Sequence, residues 1–253
     1  MDTEFQGKNA LITGGSRGIG RATALLFAER GANVAIAFEK NVQAAEELAH
    51  QVRAVGVKCK TFQMSVTDEA AWKKMSSEIV RDWSSLDVVV ANAGIWHGVQ
   101  IEDMTMDEYR EMMDVNMTGT FLAAKYGAFE MKPQRSGSIV IVSSTAGQRG
   151  ESEHSHYAAS KGAQISFTKS IAVELAPFGI RVNCVAPGWV STEMTAAILL
   201  DPREGARAIR QIPLGRVADP KEIAEAIYFL ASPRSSFILG EVINVNGGAV
   251  LCG

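Results

Sequence analysis

Ser144, Tyr157 and Lys161 lie close together in the stretch SSTAGQRGESEHSHYAASK of a 253-residue chain. Tyr157 and Lys161 are four residues apart in an alanine-rich segment of helical composition, which puts both side chains on one helix face. A lysine beside a phenol favours the phenolate. The spacing therefore predicts a tyrosine whose pKa is drawn down from its ordinary value of about 10 towards neutrality. Such a phenol can pass a proton to or from an alcohol or carbonyl oxygen. An exposed helix pair would show the same spacing, so the rest of the chain decides between the two.

A second constellation lies at the amino end. Ala10-Leu11-Ile12 leads into TGGSRGIG, Thr13 to Gly20, and an alanine-rich segment follows as far as Arg30. The order is strand, glycine-rich turn, helix. Gly14 can make the tight turn, Gly18 lets the backbone approach a pyrophosphate, and Gly20 allows the helix to pack on the strand. The helix start offers unpaired N–H groups and a positive dipole end to phosphates. The glycine spacing is G-x-x-x-G-x-G rather than G-x-G-x-x-G, within the strand–turn–helix context that a dinucleotide site requires.

The elements that must position these residues follow from hydrophobic patterning. Short apolar runs at 8–13, 33–38, 57–63, 87–91, 138–143, 180–185 and 241–245 predict seven strands. Amphipathic stretches near 19–30, 41–55, 68–83, 107–132, 156–177 and 220–231 predict helices, with Gly31, Gly56, Gly137 and Gly179 at their exits. This alternation predicts a doubly wound, seven-stranded parallel sheet with helices on both faces, a Rossmann fold in one α/β domain spanning 1–253. The segment from about 187 to 213 breaks the rhythm and is expected to form a substrate lid. The glycine turn, Asn92-Ala93-Gly94, Ser143-Ser144 and Pro187-Gly188 each follow a predicted strand, so four loops converge on one rim of the sheet.

Composition excludes several function classes. A formal net charge of −3 gives no basic footprint for nucleic acid. No run approaches 18 apolar residues and the first residues, MDTEFQGKNA, are polar, so neither a membrane span nor a signal peptide is expected. Cys59, Cys184 and Cys252 are widely separated, and His50, His97, His154 and His156 form no metal-ligand pattern with them. No metal site is expected, and a reducing cytoplasm fits these thiols.

Taken together, TGGSRGIG at 13–20, NAG at 92–94, Asn116 in DVNMTGTF, Ser144, YAASK at 157–161 and PGWVST at 187–192 resemble the short-chain dehydrogenase/reductase family along nearly the whole chain. The tail from Ile212 to Gly248 resembles the branch that contains 3-oxoacyl-acyl-carrier-protein reductases and related sugar or polyol dehydrogenases. The resemblance implies a hydride transfer between a nicotinamide and a carbonyl or secondary alcohol. Tyr157 would be the acid/base and Ser144 would hold the substrate oxygen. Lys161 would bind the nicotinamide ribose and lower the tyrosine's pKa, and Asn116 would anchor a water linking Lys161 to solvent. Cofactor contacts would come from Gly14, Ser16, Arg17, Gly18, Ile19 and Gly20, then from Phe38, Glu39, Ser65 and Val66. Asn92, Ala93, Gly94, Tyr157, Lys161, Pro187, Gly188, Val190 and Thr192 would complete them. Two positions depart from the family pattern: Ala91 replaces a common asparagine, and Ser65 replaces a common aspartate near the adenine.

Arg17 resembles the residue that meets a 2′-phosphate, and Phe38 stands where NAD-preferring members carry an aspartate. Glu39 points towards NAD and Lys40 offsets it, so NADP(H) is expected, with NAD the alternative. The substrate reading is a 3-oxoacyl thioester or similar β-keto compound, the alternative an NAD-dependent sugar or polyol dehydrogenase. From a different class comes a non-catalytic dinucleotide sensor. Arg135 matches a carrier-protein docking position, whereas Phe178 replaces a second basic residue. Trp96, His97, His154, Trp189, Met194, Ile198 and Leu199 are expected to shape the substrate pocket. Apolar residues on 107–132 and 156–177, with the uncharged tail NGGAVLCG, predict a homotetramer whose tail approaches a neighbour's lid.

Overall fold

The computed structural model describes residues 4–251. Asn9–Thr13 (β1), Asn33–Phe38 (β2), Cys59–Gln63 (β3), Val88–Ala91 (β4), Gly137–Val142 (β5), Ile180–Pro187 (β6) and Val242–Val245 (β7) form one sheet, in the order β3-β2-β1-β4-β5-β6-β7. Every neighbouring pair is parallel. The helices are Gly18–Glu29 (α1), Val42–Ala54 (α2), Glu69–Trp83 (α3), Met106–Met113 (α4), Gly119–Gln134 (α5), Ala146–Arg149 (α6), Ser155–Leu175 (α7), Ala196–Leu200 (α8), Pro202–Arg210 (α9) and Pro220–Ala231 (α10). All seven expected strands are present, in the α/β Rossmann arrangement that the alternation predicts.

The strands read as unbroken apolar runs because both faces of the sheet are covered. In β1, Ala10 and Ile12 enter a core with Phe27 of α1, Leu48 of α2 and Ile223 of α10. Leu11 between them enters the opposite core, with Trp72 of α3, Leu122 of α5 and Leu175 of α7. Alternation along the strand thus serves two cores at once. Helix starts follow local chemistry. Asn41 and Asp68 accept N–H bonds at the first turns of α2 and α3, and Thr105 and Asp219 make capping boxes with Glu108 and Glu222.

Two sequence expectations change. Gly31, Gly56 and Gly179 take left-handed backbone at helix exits, but Gly137 does not. Gly137 opens β5 where a Cβ would come within 2.3 Å of Met131 Sδ, and the left-handed exit of α5 falls to Arg135 at φ +52°. The single helix expected over 107–132 is split by a π-helical turn at Asp114–Thr118. The stretch 187–213 carries two short helices, α8 and α9.

Strand order reverses between β1 and β4, and the loops beyond their carboxyl ends frame a cleft of about 370 Å³. No helix among the described residues is long and apolar enough to cross a membrane. Cys252 and the final glycine of the tail lie outside the described residues.

Candidate active site

The cleft begins at the glycine turn, where Gly14 (φ +61°) and Gly18 (φ +52°) hold backbone that side-chain-bearing residues rarely adopt. A Cβ on Gly20 would lie 2.3 Å from the Gly14 carbonyl oxygen and 2.7 Å from Asn92 Nδ2. The turn is fastened to β4 across the switch point. Thr13 Oγ1 accepts from the backbone N–H groups of Asn92 and Ala93, both at 3.0 Å, and donates to the Val90 carbonyl at 3.3 Å. Asn92 Nδ2 in return donates to the carbonyls of Thr13 at 2.9 Å and Gly14 at 3.3 Å. Helix α1 then starts with no side-chain cap and no acidic residue in its first turn. Its free N–H groups and dipole face the cleft, which suits a pyrophosphate. A cradle that any Cβ would fill, at an open helix start, fits the dinucleotide that this fold implies.

At the adenosine end the side chain of Phe38 is buried, while Arg17, Glu39 and Lys40 are exposed and line the cleft. The main-chain oxygen of Glu39 accepts from Gln63 Nε2, which fixes the loop and leaves the carboxylate outward. Ser65 Oγ is paired with Thr67 Oγ1 at 2.8 Å, and Val66 is held by Trp72 Nε1 donating to its carbonyl. Ser16, Ile19, Gly94, Pro187, Gly188, Val190 and Thr192 line the same cleft. Asn41 and Met64 line it too, and nothing in their spacing singled them out.

At the other end, Ser144 follows β5, and Tyr157 and Lys161 project from α7. Lys161 Nζ donates to the Val142 carbonyl at 2.9 Å and lies 5.7 Å from the centre of the Tyr157 ring. Both side chains are buried. The expected lowering of the tyrosine's pKa is reversed. Burial pushes the Tyr157 phenol up to about 12, the Ser144 hydroxyl counters part of this, and the Glu151 carboxylate adds to it. Burial also pushes Lys161 down to about 8. Desolvation wins because burial of both side chains disfavours their charged forms. At neutral pH this phenol is a proton donor.

Asn116 sits in the π turn and is fully buried. Its Oδ1 accepts from the Ile95 N–H at 2.8 Å, and its Nδ2 lies within bonding distance of the Ile95 carbonyl, Ser160 Oγ and Met112 Sδ. Its own carbonyl accepts from Thr120 Oγ1 at 2.7 Å and Gln164 Nε2 at 2.8 Å. These bonds tie the loop after β4 to α7, and Oδ1, which accepts one of them, keeps a second acceptor position.

Trp96 and Trp189 meet edge to face at the mouth, with ring centres 6.0 Å apart. His154 does not line the cleft. It stacks behind Trp96 at 4.6 Å, with its Nδ1 held by the Ser152 carbonyl. His97 turns away to His156, and of Met194, Ile198 and Leu199 the cleft is lined by Met194. Arg149 and Glu151 are among the lining residues that escaped the sequence reading, and they belong to no motif. Glu151 Oε2 accepts from Trp96 Nε1 at 3.3 Å.

The lysine's shift has a measurable consequence. Between pH 8 and pH 10.5 an unfolded chain keeps a proton on this lysine that the folded chain has released. Stability of the natural protein relative to Lys161→Met should therefore rise by about 3 kcal/mol across that window, as the cost of the buried charge disappears. Denaturant unfolding of both proteins at pH 7 and pH 10.5 checks it. A difference independent of pH would mean that Lys161 keeps an ordinary pKa.

Comparison with known proteins agrees with this geometry. A family model described as enoyl-(acyl carrier protein) reductase matches residues 14–250. A 3-oxoacyl-acyl-carrier-protein reductase FabG of Staphylococcus aureus is 40% identical over 95% of this chain and 97% of its own. A cyclohexanol dehydrogenase of a Rhodococcus species is 38% identical over 96% of each chain. The crystal structure of an NAD⁺-bound xylitol dehydrogenase superimposes with a TM-score of 0.90 at 33% identity, covering 96% of this chain and 99% of that one. With likeness of this extent, the chain belongs to the short-chain dehydrogenase/reductase family, whose members use a nicotinamide dinucleotide to interconvert carbonyl and CH–OH groups.

Proposed function

We propose that this protein is an NADP(H)-dependent carbonyl reductase and alcohol dehydrogenase. The observation that carries it is the meeting of Ser144, Tyr157 and Lys161 at one end of a cleft whose other end is the glycine turn and Arg17. A bound nicotinamide supplies or accepts the hydride. Ser144 holds the substrate oxygen near the Tyr157 phenol, and the protonated phenol donates to that oxygen as charge develops on it. Lys161, anchored on the Val142 carbonyl, supplies positive charge beside the phenolate that remains. Asn116 acts as a positioning residue by clamping Ile95 against Ser160 of α7. Free thiols at Cys59 and Cys184 fit a reducing compartment, and we place the enzyme in the cytoplasm.

For the substrate, likeness to 3-oxoacyl-acyl-carrier-protein reductases supports a 3-oxoacyl thioester. A second reading, a sugar, polyol or cyclic alcohol, is favoured by the mouth, where two indoles and a carboxylate narrow the approach. The surface expected to dock a carrier protein speaks in the same direction. Arg135 spends a guanidinium nitrogen on the Pro177 carbonyl, and Lys132 lies over the Phe178 ring at 4.6 Å.

Tyr157→Phe should lower turnover by about 10²–10⁴-fold while NADPH affinity stays within about threefold, because only the transferable proton is lost. Steady-state rates together with fluorescence titration of NADPH check this. More than half of the natural activity would remove Tyr157 from the mechanism. Arg17→Ala should weaken NADPH by about tenfold or more and leave NADH within about twofold, since only a phosphate rewards the charge. Equal weakening of both cofactors would show that Arg17 does not read the phosphate.

The assembly is a homotetramer in this reading. Phe121 and Phe129 of α5, Val173 of α7, Phe237 and Leu251 are exposed apolar side chains, more than one isolated chain ordinarily presents. Light scattering at micromolar concentration should return four times the 27.2 kDa chain mass. A mass near that of one chain would sink the assembly.

A further inference from the structure

Glu151 is a group that ketone reduction by itself does not require. It follows Gly150, whose left-handed backbone (φ +78°) turns the chain back towards the cleft after α6. Its Oε2 is held by the Trp96 indole N–H, and Trp96 is itself fixed between His154 and Trp189. The carboxylate is thus aimed before any substrate arrives. Its Oε1 takes no hydrogen bond or ion pair among the described residues. Glu151 lines the same cleft as Ser144, Tyr157 and Lys161. Arg149 lines the same cleft, exposed and without an ion pair of its own among the described residues.

We propose that Glu151 is a specificity-determining residue which, with Arg149 and the Trp96–Trp189 wall, selects a compact substrate bearing a hydroxyl beside the reacting carbon. A hydroxyl both donates and accepts, so it can give its proton to Glu151 and receive one from Arg149. An unsubstituted alkyl or acyl chain laid over Glu151 would strip water from the carboxylate and return no hydrogen bond, which is costly. The carbon faces of a small polyol or cyclic hydroxyketone suit two indole surfaces. A site built to bond a hydroxyl rejects analogues that lack it far better than an apolar pocket rejects an extra methylene.

The inference rests on the NADPH-linked carbonyl reductase reading. The test compares kcat/KM with NADPH for 2-hydroxycyclohexanone, cyclohexanone and acetoacetyl-CoA in the natural enzyme, Glu151→Ala and Glu151→Gln. The natural enzyme should favour the hydroxyketone over cyclohexanone by about 100-fold. Glu151→Ala should erase at least about tenfold of that preference, read as the ratio of the two kcat/KM values, because one charge-assisted hydrogen bond is lost. Glu151→Gln, which keeps the side chain's shape, should fall between the two and replaces the alanine variant if that one does not fold. Equal losses on both ketones would overturn the proposal, as would a natural enzyme indifferent to the hydroxyl. Reduction of acetoacetyl-CoA without reduction of the hydroxyketone would overturn it while the carbonyl-reductase reading stands. NADPH left unoxidised with all three would sink both.

Discussion

The site depends first on the clamp between Thr13 and Asn92. At the point where strand order reverses, two loops diverge and a cleft opens between them. Parallel pairing ends at Ile12 and Val90, so the ladder itself does not hold the loops in register beyond that level. One threonine hydroxyl and one carboxamide take over, with two N–H groups arriving at Thr13 Oγ1 and two carbonyls receiving Asn92 Nδ2. The phosphate cradle on one loop and the approach to the nicotinamide on the other are thereby set relative to each other. Gly20 then becomes a requirement, because the clamped Gly14 carbonyl and Asn92 amide leave no space for a side chain.

The same economy of space governs the proton-transfer end. Lys161 and Tyr157 are both buried, and burial disfavours the charged form of each. A phenol that holds its proton and a lysine that holds its own weakly are matched for the reductive direction, in which the proton leaves the tyrosine. Water admitted to the cleft would relax both shifts, so the indole wall and Met194 bear on proton transfer as well as on fit.

The sheet, its helices and the converging loops were legible because they rest on local signals. Val88–Ala91 can only be a buried strand, and Thr13 to Gly20 carries its turn in its glycines. What escaped depends on distant groups. Helical spacing brought Tyr157 and Lys161 to one face, but the depth of burial that reverses the pKa expectation comes from packing by other elements. His154 has the residue type of a substrate contact, yet the face of Trp96 holds it behind the wall. Asn116 was recognised as part of the site, whereas its engagement with Ile95, Thr120 and Gln164 arises only once three segments meet. Glu151 belongs to no motif and becomes visible only beside Trp96.

The π turn at Asp114–Thr118 has a consequence for length changes in this helix. Each residue added to or removed from an α-helix rotates everything beyond it by about 100°. The wide turn absorbs one such step between α4, which buries Met112, and α5, which turns Leu122 inward and Phe121 and Phe129 outward. Asn116 sits at the pivot, so its inward aim and the outward aim of the phenylalanines are two readings of a single phase angle. Shortening the turn by one residue would swing the exposed apolar stripe around the helix and withdraw the carboxamide from Ile95 in the same motion. The chemistry inside the cleft and the surface available for assembly therefore cannot be re-aimed independently along this segment.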